Sequence, residues 1–158
     1  LLMGISNREN HILLTTGNKS ELAVGYCTLY GDMNGGLAVI GDVYKMDVFK
    51  LSRFMNKDGE IIPENSIVKP PSAELRPDQK DTDSLPEYED LDQILFNYLE
   101  LNKSPQEIVE IGFNENVVTR VIRMVNMNEY KRFQAAPILR ISSKAFGFGR
   151  KMPLVAKY

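Results

Sequence analysis

The chain has 158 residues, of which 43% are hydrophobic and 25% charged, with a formal net charge of -2. That balance fits a globular domain with an apolar core and gives no sign of wholesale attraction to nucleic acid or to a membrane surface. No apolar stretch approaches the roughly 20 residues needed to cross a bilayer, and the opening LLMGISNREN has too short an apolar core and no basic leader for a signal peptide. The single cysteine, Cys27, rules out an internal disulfide, and we read a cytoplasmic chain.

In chain order, Leu1 to Ile5 resemble the end of an apolar helix, with no capping residue before them, so the chain is expected to begin inside a domain. His11 to Leu14 read as a short buried strand. Residues 19 to 30 read as a helix, with Asn18 and Glu21 at capping-box spacing and Gly31 as its stop. A second helix is expected from about Tyr44 to Met55, whose Met46, Val48, Phe49, Leu51, Phe54 and Met55 make a broad apolar face. Between Ile61 and Pro86 lie five of the eight prolines, mixed with Asp78, Lys80, Asp81 and Asp83, and regular structure is not expected there. Unstructured segments this long are uncommon unless functional or disordered.

Leu91, Ile94, Leu95, Tyr98 and Leu99 then fall on one face of a helix spanning about 88 to 101. Ser104-Pro105-Gln106-Glu107 supplies a cap, a first-turn proline and a capping-box acid for a short helix ending at Gly112. Asn114 opens another helix, bearing Val117, Val118, Val121, Ile122 and Val125, expected to run to about Arg132. Beyond Glu129 there is no acid, whereas Lys131, Arg132, Arg140, Lys144, Arg150, Lys151 and Lys157 are basic. This basic arm, residues 133–158, also contains Phe133, Phe146, Phe148 and Met152, apolar content that suits docking against something.

Several residues carry chemistry or a simpler structural role. Thr15-Thr16-Gly17-Asn18 lies between a strand and a helix start, where free backbone N–H groups, a positive dipole end and threonine hydroxyls can hold phosphate; an ordinary turn capped by Asn18 explains the same pattern. Glu21 is accounted for by capping, or else serves as a magnesium ligand beside a phosphate. Lys45 near the start of the second helix is unfavourable against the dipole unless an anion sits there. Asp32 reads as a turn residue and Ser72 as a cap. Cys27 reads more readily as a small buried hydrophobe than as a nucleophile. The single histidine, His11, excludes histidine-clustered zinc sites.

The runs LLTTGNKSELAVGYCTLYGDMNGGLAVIGDVYKMDVFKLSRF, IVKPPSAELRPDQKDTDSLPEYEDLDQIL and EYKRFQAAPILRISSKAFGFGRKMP closely resemble the ATP-pyrophosphatase domain of glutamine-dependent NAD synthetases. The resemblance covers nearly all of the chain. It implies an α/β, Rossmann-like adenine nucleotide alpha-hydrolase (ATP-pyrophosphatase) fold, here a helix-rich C-terminal portion of an NAD synthase domain. The family's ligase reaction adenylates the nicotinate carboxylate of deamido-NAD with ATP and then displaces AMP with ammonia, which a separate glutaminase domain usually draws from glutamine. Carried over residue by residue, Thr16, Lys45 and Ser72 would bind ATP. Glu21 would bind Mg2+ or lie against deamido-NAD, with Tyr26, Leu29, Tyr130 and Lys131 as further deamido-NAD contacts. Residues 61–86 would be a mobile cover that excludes water from the acyl-adenylate, and the domain would form a homodimer.

The chain also departs from the family pattern. No Ser-Gly-Gly-x-Asp-Ser phosphate loop occurs in it, and no nitrilase-like domain, so little activity is expected from these residues alone and no catalytic residue is assigned. A non-catalytic nucleotide-binding or dimerisation module, and another ammonia-using adenylating ligase, remain as alternatives.

Overall fold

The computed structural model describes residues 1–155. Lys157 lies outside the described residues. Helix α1 (Leu2–Glu9) precedes strand β1 (Leu14–Thr15), and β1 pairs in parallel with β2 (Leu37–Ala38), Leu14 opposite Leu37 and Thr15 opposite Ala38. Ala38 extends this ladder to Ile138 through its own N–H, which donates to the Pro137 carbonyl at 2.8 Å. The strand is shorter and starts later than expected: His11 and Ile12 are exposed and outside it.

Between the strands lies α2 (Lys19–Val24). Asn18 and Glu21 form the expected capping box, the Asn18 side chain accepting from the Glu21 N–H and the Glu21 carboxylate from the Asn18 N–H. The helix ends at Gly25 rather than Gly31, because Gly25 adopts a left-handed conformation (φ 73°). A Cβ there would come within 2.1 Å of the Asn128 side chain, so both the turn and the close packing call for glycine. Tyr26 to Leu29, expected to be helical, consequently lie on the irregular segment that follows.

Helices α3 (Lys45–Met55), α4 (Glu64–Val68), α5 (Tyr88–Leu95), α6 (Pro105–Glu110), α7 (Glu115–Met127) and α8 (Glu129–Arg132) complete the order. The proline-rich segment thus contains α4 and a single 3-10 turn at Asp81–Asp83, more regular structure than its composition suggested. The expected 88–101 helix continues past Leu95 as a π-helical turn over Phe96–Glu100, and the long helix after Asn114 breaks at Asn128. The core sits where α2, α5 and α7 meet, with Ala23, Leu91, Ile94, Leu95, Val118, Val121 and Val125 fully buried. Each of the larger of these side chains contributes about 1.5–3 kcal/mol by leaving water. Among the described residues no helix is long and apolar enough to cross a membrane.

Candidate functional site

A cavity of about 470 Å³ opens beside the N-terminus of α2 and is lined, among others, by Thr16, Glu21, Tyr26, Lys45 and Ser72. These five residues come from three separate stretches of sequence, around residues 16–26, 45 and 72. The two threonines divide: Thr15 is buried in β1, whereas Thr16 is exposed. Thr15 closes the strand, whereas Thr16 already lies in the turn that leads to α2.

Lys45 is placed by a relay from the core. The Ser20 hydroxyl donates to buried Asp92, the Lys45 N–H donates to Ser20 Oγ at 2.9 Å, and the Met46 N–H donates to the Asp92 carboxylate at 2.8 Å. Tyr44, at the helix cap, makes no side-chain capping bond. Ser20 and Asp92 therefore satisfy two of the free N–H groups that open α3, and the Asp92 carboxylate answers the dipole that Lys45 opposes. Burial raises the Asp92 carboxyl to about 6, against the lowering effect of the two hydrogen bonds it accepts. The Lys45 ammonium lies 3.0 Å from Glu21 Oε1 and 5.3 Å from the centre of the Tyr88 ring. Both members of the Glu21–Lys45 pair retain some exposure, 18% each. Glu21 thus serves as cap and counter-ion at once, through different oxygens.

Ser72 Oγ accepts from the Glu74 N–H at 3.0 Å, a local turn that leaves its hydroxyl proton available. Tyr26 receives a 3.4 Å hydrogen bond from Gln79. Its phenol is raised by burial and by the nearby Asp81 charge. Cys27 also lines the cavity, but burial pushes its thiol up to about 11, so it is protonated at neutral pH and a poor nucleophile. Asp32 joins the lining while its carboxylate accepts from the Thr28 N–H at 2.8 Å.

Leu29, Tyr130 and Lys131 are not among the lining residues. Leu29 is half-buried against the core and Tyr130 is 47% exposed. The Lys131 ammonium donates to the carbonyls of Gly25 (2.7 Å) and Cys27 (2.8 Å), and Asn128 to that of Val24 (3.0 Å). Buried Arg132 donates to the carbonyls of Leu22 (3.2 Å) and Ala23 (2.6 Å) and stacks on Phe146, 4.9 Å away. The segment 128–132 therefore supplies the donors that the last turn of α2 lacks, and so supports the cavity rim from behind. Gly25, Gln79 and Asp81 line the cavity without having been singled out from the sequence. For Gly25 a signal existed, a glycine interrupting an apolar helical pattern; for the other two none was visible.

The family model for NAD synthase matches residues 1–135. A glutamine-dependent NAD(+) synthetase of Synechocystis is 56% identical over 158 residues, covering 100% of this chain and 28% of that protein. One from Acinetobacter baylyi is 58% identical over 157 residues, covering 98% of this chain and 29% of the relative. The chain thus spans under a third of the length of these curated relatives. A crystal structure of a glutamine-dependent NAD(+) synthetase from Cytophaga hutchinsonii matches the fold with a TM-score of 0.75 at 24% identity, covering 98% of this chain and 26% of that one. Helices packed beside a small parallel sheet agree with that α/β architecture, and by the family match the chain belongs to the NAD synthase family.

Proposed function

We propose that these residues form part of the synthetase domain of a longer glutamine-dependent NAD(+) synthetase, a ligase that amidates deamido-NAD at the expense of ATP. The observation that carries this reading is the convergence of Thr16, Glu21, Lys45 and Ser72 on one cavity. In the proposed reaction the nicotinate carboxylate attacks the α-phosphorus of ATP and releases pyrophosphate. Ammonia then attacks the acyl carbon and AMP leaves. Bringing a carboxylate up to a triphosphate is opposed by repulsion, which a lysine and hydroxyl donors fixed in advance reduce without reorganising. Lys45 suits that task because its ammonium has, among the described residues, one carboxylate partner and faces a cavity.

Glu21 is the residue of this chain that would hold Mg2+, exchanging its ion pair with Lys45 for the metal. Among the described residues there is no cluster of three or more metal-ligating side chains, which suits an ion that takes one or two carboxylates and completes its shell with phosphate oxygens and water. When bound, magnesium would neutralise charge on the departing pyrophosphate. Tyr26, Leu29, Tyr130 and Lys131 are the proposed deamido-NAD contacts. Leu29, Tyr130 and Lys131, standing off the lining, would reach the ligand from the rim or across a homodimer contact. Residues 61–86 are proposed to act as the cover, the basic arm to dock, and a glutaminase domain to deliver ammonia in a cytoplasmic enzyme.

The test is NAD formation by the longer protein from ATP, deamido-NAD and either glutamine or ammonium, with the adenylate trapped when ammonia is withheld. Binding of both nucleotides with no adenylate would instead support a non-catalytic module. Adenylation that does not depend on deamido-NAD would point to a different ligase.

A further inference from the structure

Asp81 is 3% exposed and lines the cavity described above. One carboxylate oxygen, Oδ2, accepts from the Tyr88 hydroxyl at 2.8 Å. The other, Oδ1, is buried and has no hydrogen-bond partner among the described residues, the Tyr26 phenol approaching the carboxylate without bonding this oxygen. Leaving a charged oxygen in that condition costs more than leaving a neutral one, so such a group is expected to find a donor when the site is in use. The carboxylate is also well fixed. The Asp81 N–H donates to the Pro71 carbonyl at 3.0 Å, and the Asp81 carbonyl accepts from Ser84 (3.0 Å) and Leu85 (2.9 Å). Tyr88 ties it to the cation of the site, since the ring whose hydroxyl serves Asp81 lies against the Lys45 ammonium. The lining is therefore polarised, with Lys45 at one side of Tyr88 and the Asp81 carboxylate at its hydroxyl end.

We infer that Oδ1 of Asp81 accepts a hydrogen bond from an O–H or N–H donor of the bound substrate and so orients it with its phosphates away from Asp81 and toward Lys45. This rests on the synthetase reading. The co-reactants of that reaction carry such donors: the ribose hydroxyls and the adenine amino group of the two nucleotides, and ammonia itself. A phosphate oxygen does not qualify, because it offers no donor and is repelled by the carboxylate. Asp81 is thus a substrate-positioning residue, and the proline-rich segment contributes recognition besides whatever covering it does.

The experiment uses the longer protein, comparing wild type with Asp81→Asn and with the double variant Asp81→Ala/Tyr88→Phe. The double variant removes both members of the buried pair, so that no hydroxyl is stranded. Calorimetry with ATP and with deamido-NAD, and steady-state KM for each nucleotide and for ammonium, are read alongside the thermal midpoint. The inference expects one of these to weaken by about 10- to 100-fold while kcat changes far less. Weakening confined to one nucleotide assigns the donor to a ribose hydroxyl or the adenine amino group of that nucleotide; weakening confined to ammonium assigns it to ammonia. A folded variant with every affinity and KM within about twofold of wild type overturns the inference and leaves the synthetase reading intact. Wild-type protein that binds neither nucleotide overturns both.

Discussion

Lys19 and Lys45 occupy the first positions of two neighbouring helices, yet their surroundings are opposite. Lys19 is fully buried, with its ammonium 2.8 Å from Asp42, paired also with Glu100, and 2.7 Å from Ser142 Oγ. The Tyr44 ring closes over it at 4.9 Å. Burial works to raise the Asp42 and Glu100 carboxyls, but their hydrogen bonds, chiefly from Lys19, outweigh it and hold both below the usual range. Lys45 has a single carboxylate partner, partial exposure and a cavity in front of it. A lysine whose three protons are all engaged has nothing left to offer a ligand. One with spare protons does, and that difference separates a fastening from a binding group although both sit in the same sequence context.

Removing each ammonium separates the two roles most directly. Lys19→Met should cost about 3–5 kcal/mol of stability, because two buried carboxylates lose their cation; a loss below about 1 kcal/mol in denaturant unfolding would contradict the account of Lys19. Lys45→Met in the longer protein should leave stability within about 1 kcal/mol, in keeping with a partly exposed ion pair. Its kcat/KM for NAD formation should fall by about 100- to 1,000-fold, and near-normal turnover would remove Lys45 from the site.

Acid sharpens the contrast. Asp42 and Glu100 are lowered on folding, so their contribution is present above the unfolded carboxyl range near pH 4 and is lost as pH falls through their folded values. Asp92 runs the other way. With a folded value of about 6 above an unfolded value near 3.9, the folded state takes up the extra proton. Asp92 therefore favours folding most below about pH 4, an advantage lost as pH rises through 6, amounting to about 2–3 kcal/mol. The difference in stability between wild type and Asp92→Asn, measured from pH 4 to 7, should slope in that sense, and a flat difference would refute it. Smallest of all, Cys27→Ala in the longer protein should change kcat/KM by no more than about twofold, since its raised thiol supplies no nucleophile; a larger loss would give Cys27 a role denied it here.

Local rules made α6 and the start of α7 readable in the sequence. Ser104 with Glu107 and the Asn114 side chain do the capping that their spacing implies. The dipole mismatch at Lys45 likewise pointed to an anion, and Glu21 and Asp92 supply it from within the chain. Lys19 carried the same mismatch yet was not singled out, because its partners lie 23, 81 and 123 positions away and no periodicity relates them. The early end of α2 was missed because an apolar pattern continued through Gly25, and only the Asn128 side chain packed against it shows why glycine stands there. In sequence Asp81 is one of several charged residues in a proline-rich stretch; its fixed position depends on Tyr88 and Pro71 bonding to it.

The donors that finish α2 come from residues more than a hundred positions later, Asn128 reaching Val24 and Lys131 reaching Gly25 and Cys27. A ribosome making this chain must therefore release most of it before the rim can be completed. Until then the final carbonyls of that short helix have only water to bind. Assembly of the pocket is a late event in synthesis, and a chain cut short before Asn128 would lose the rim while keeping the Asn18–Glu21 capping box that opens the helix.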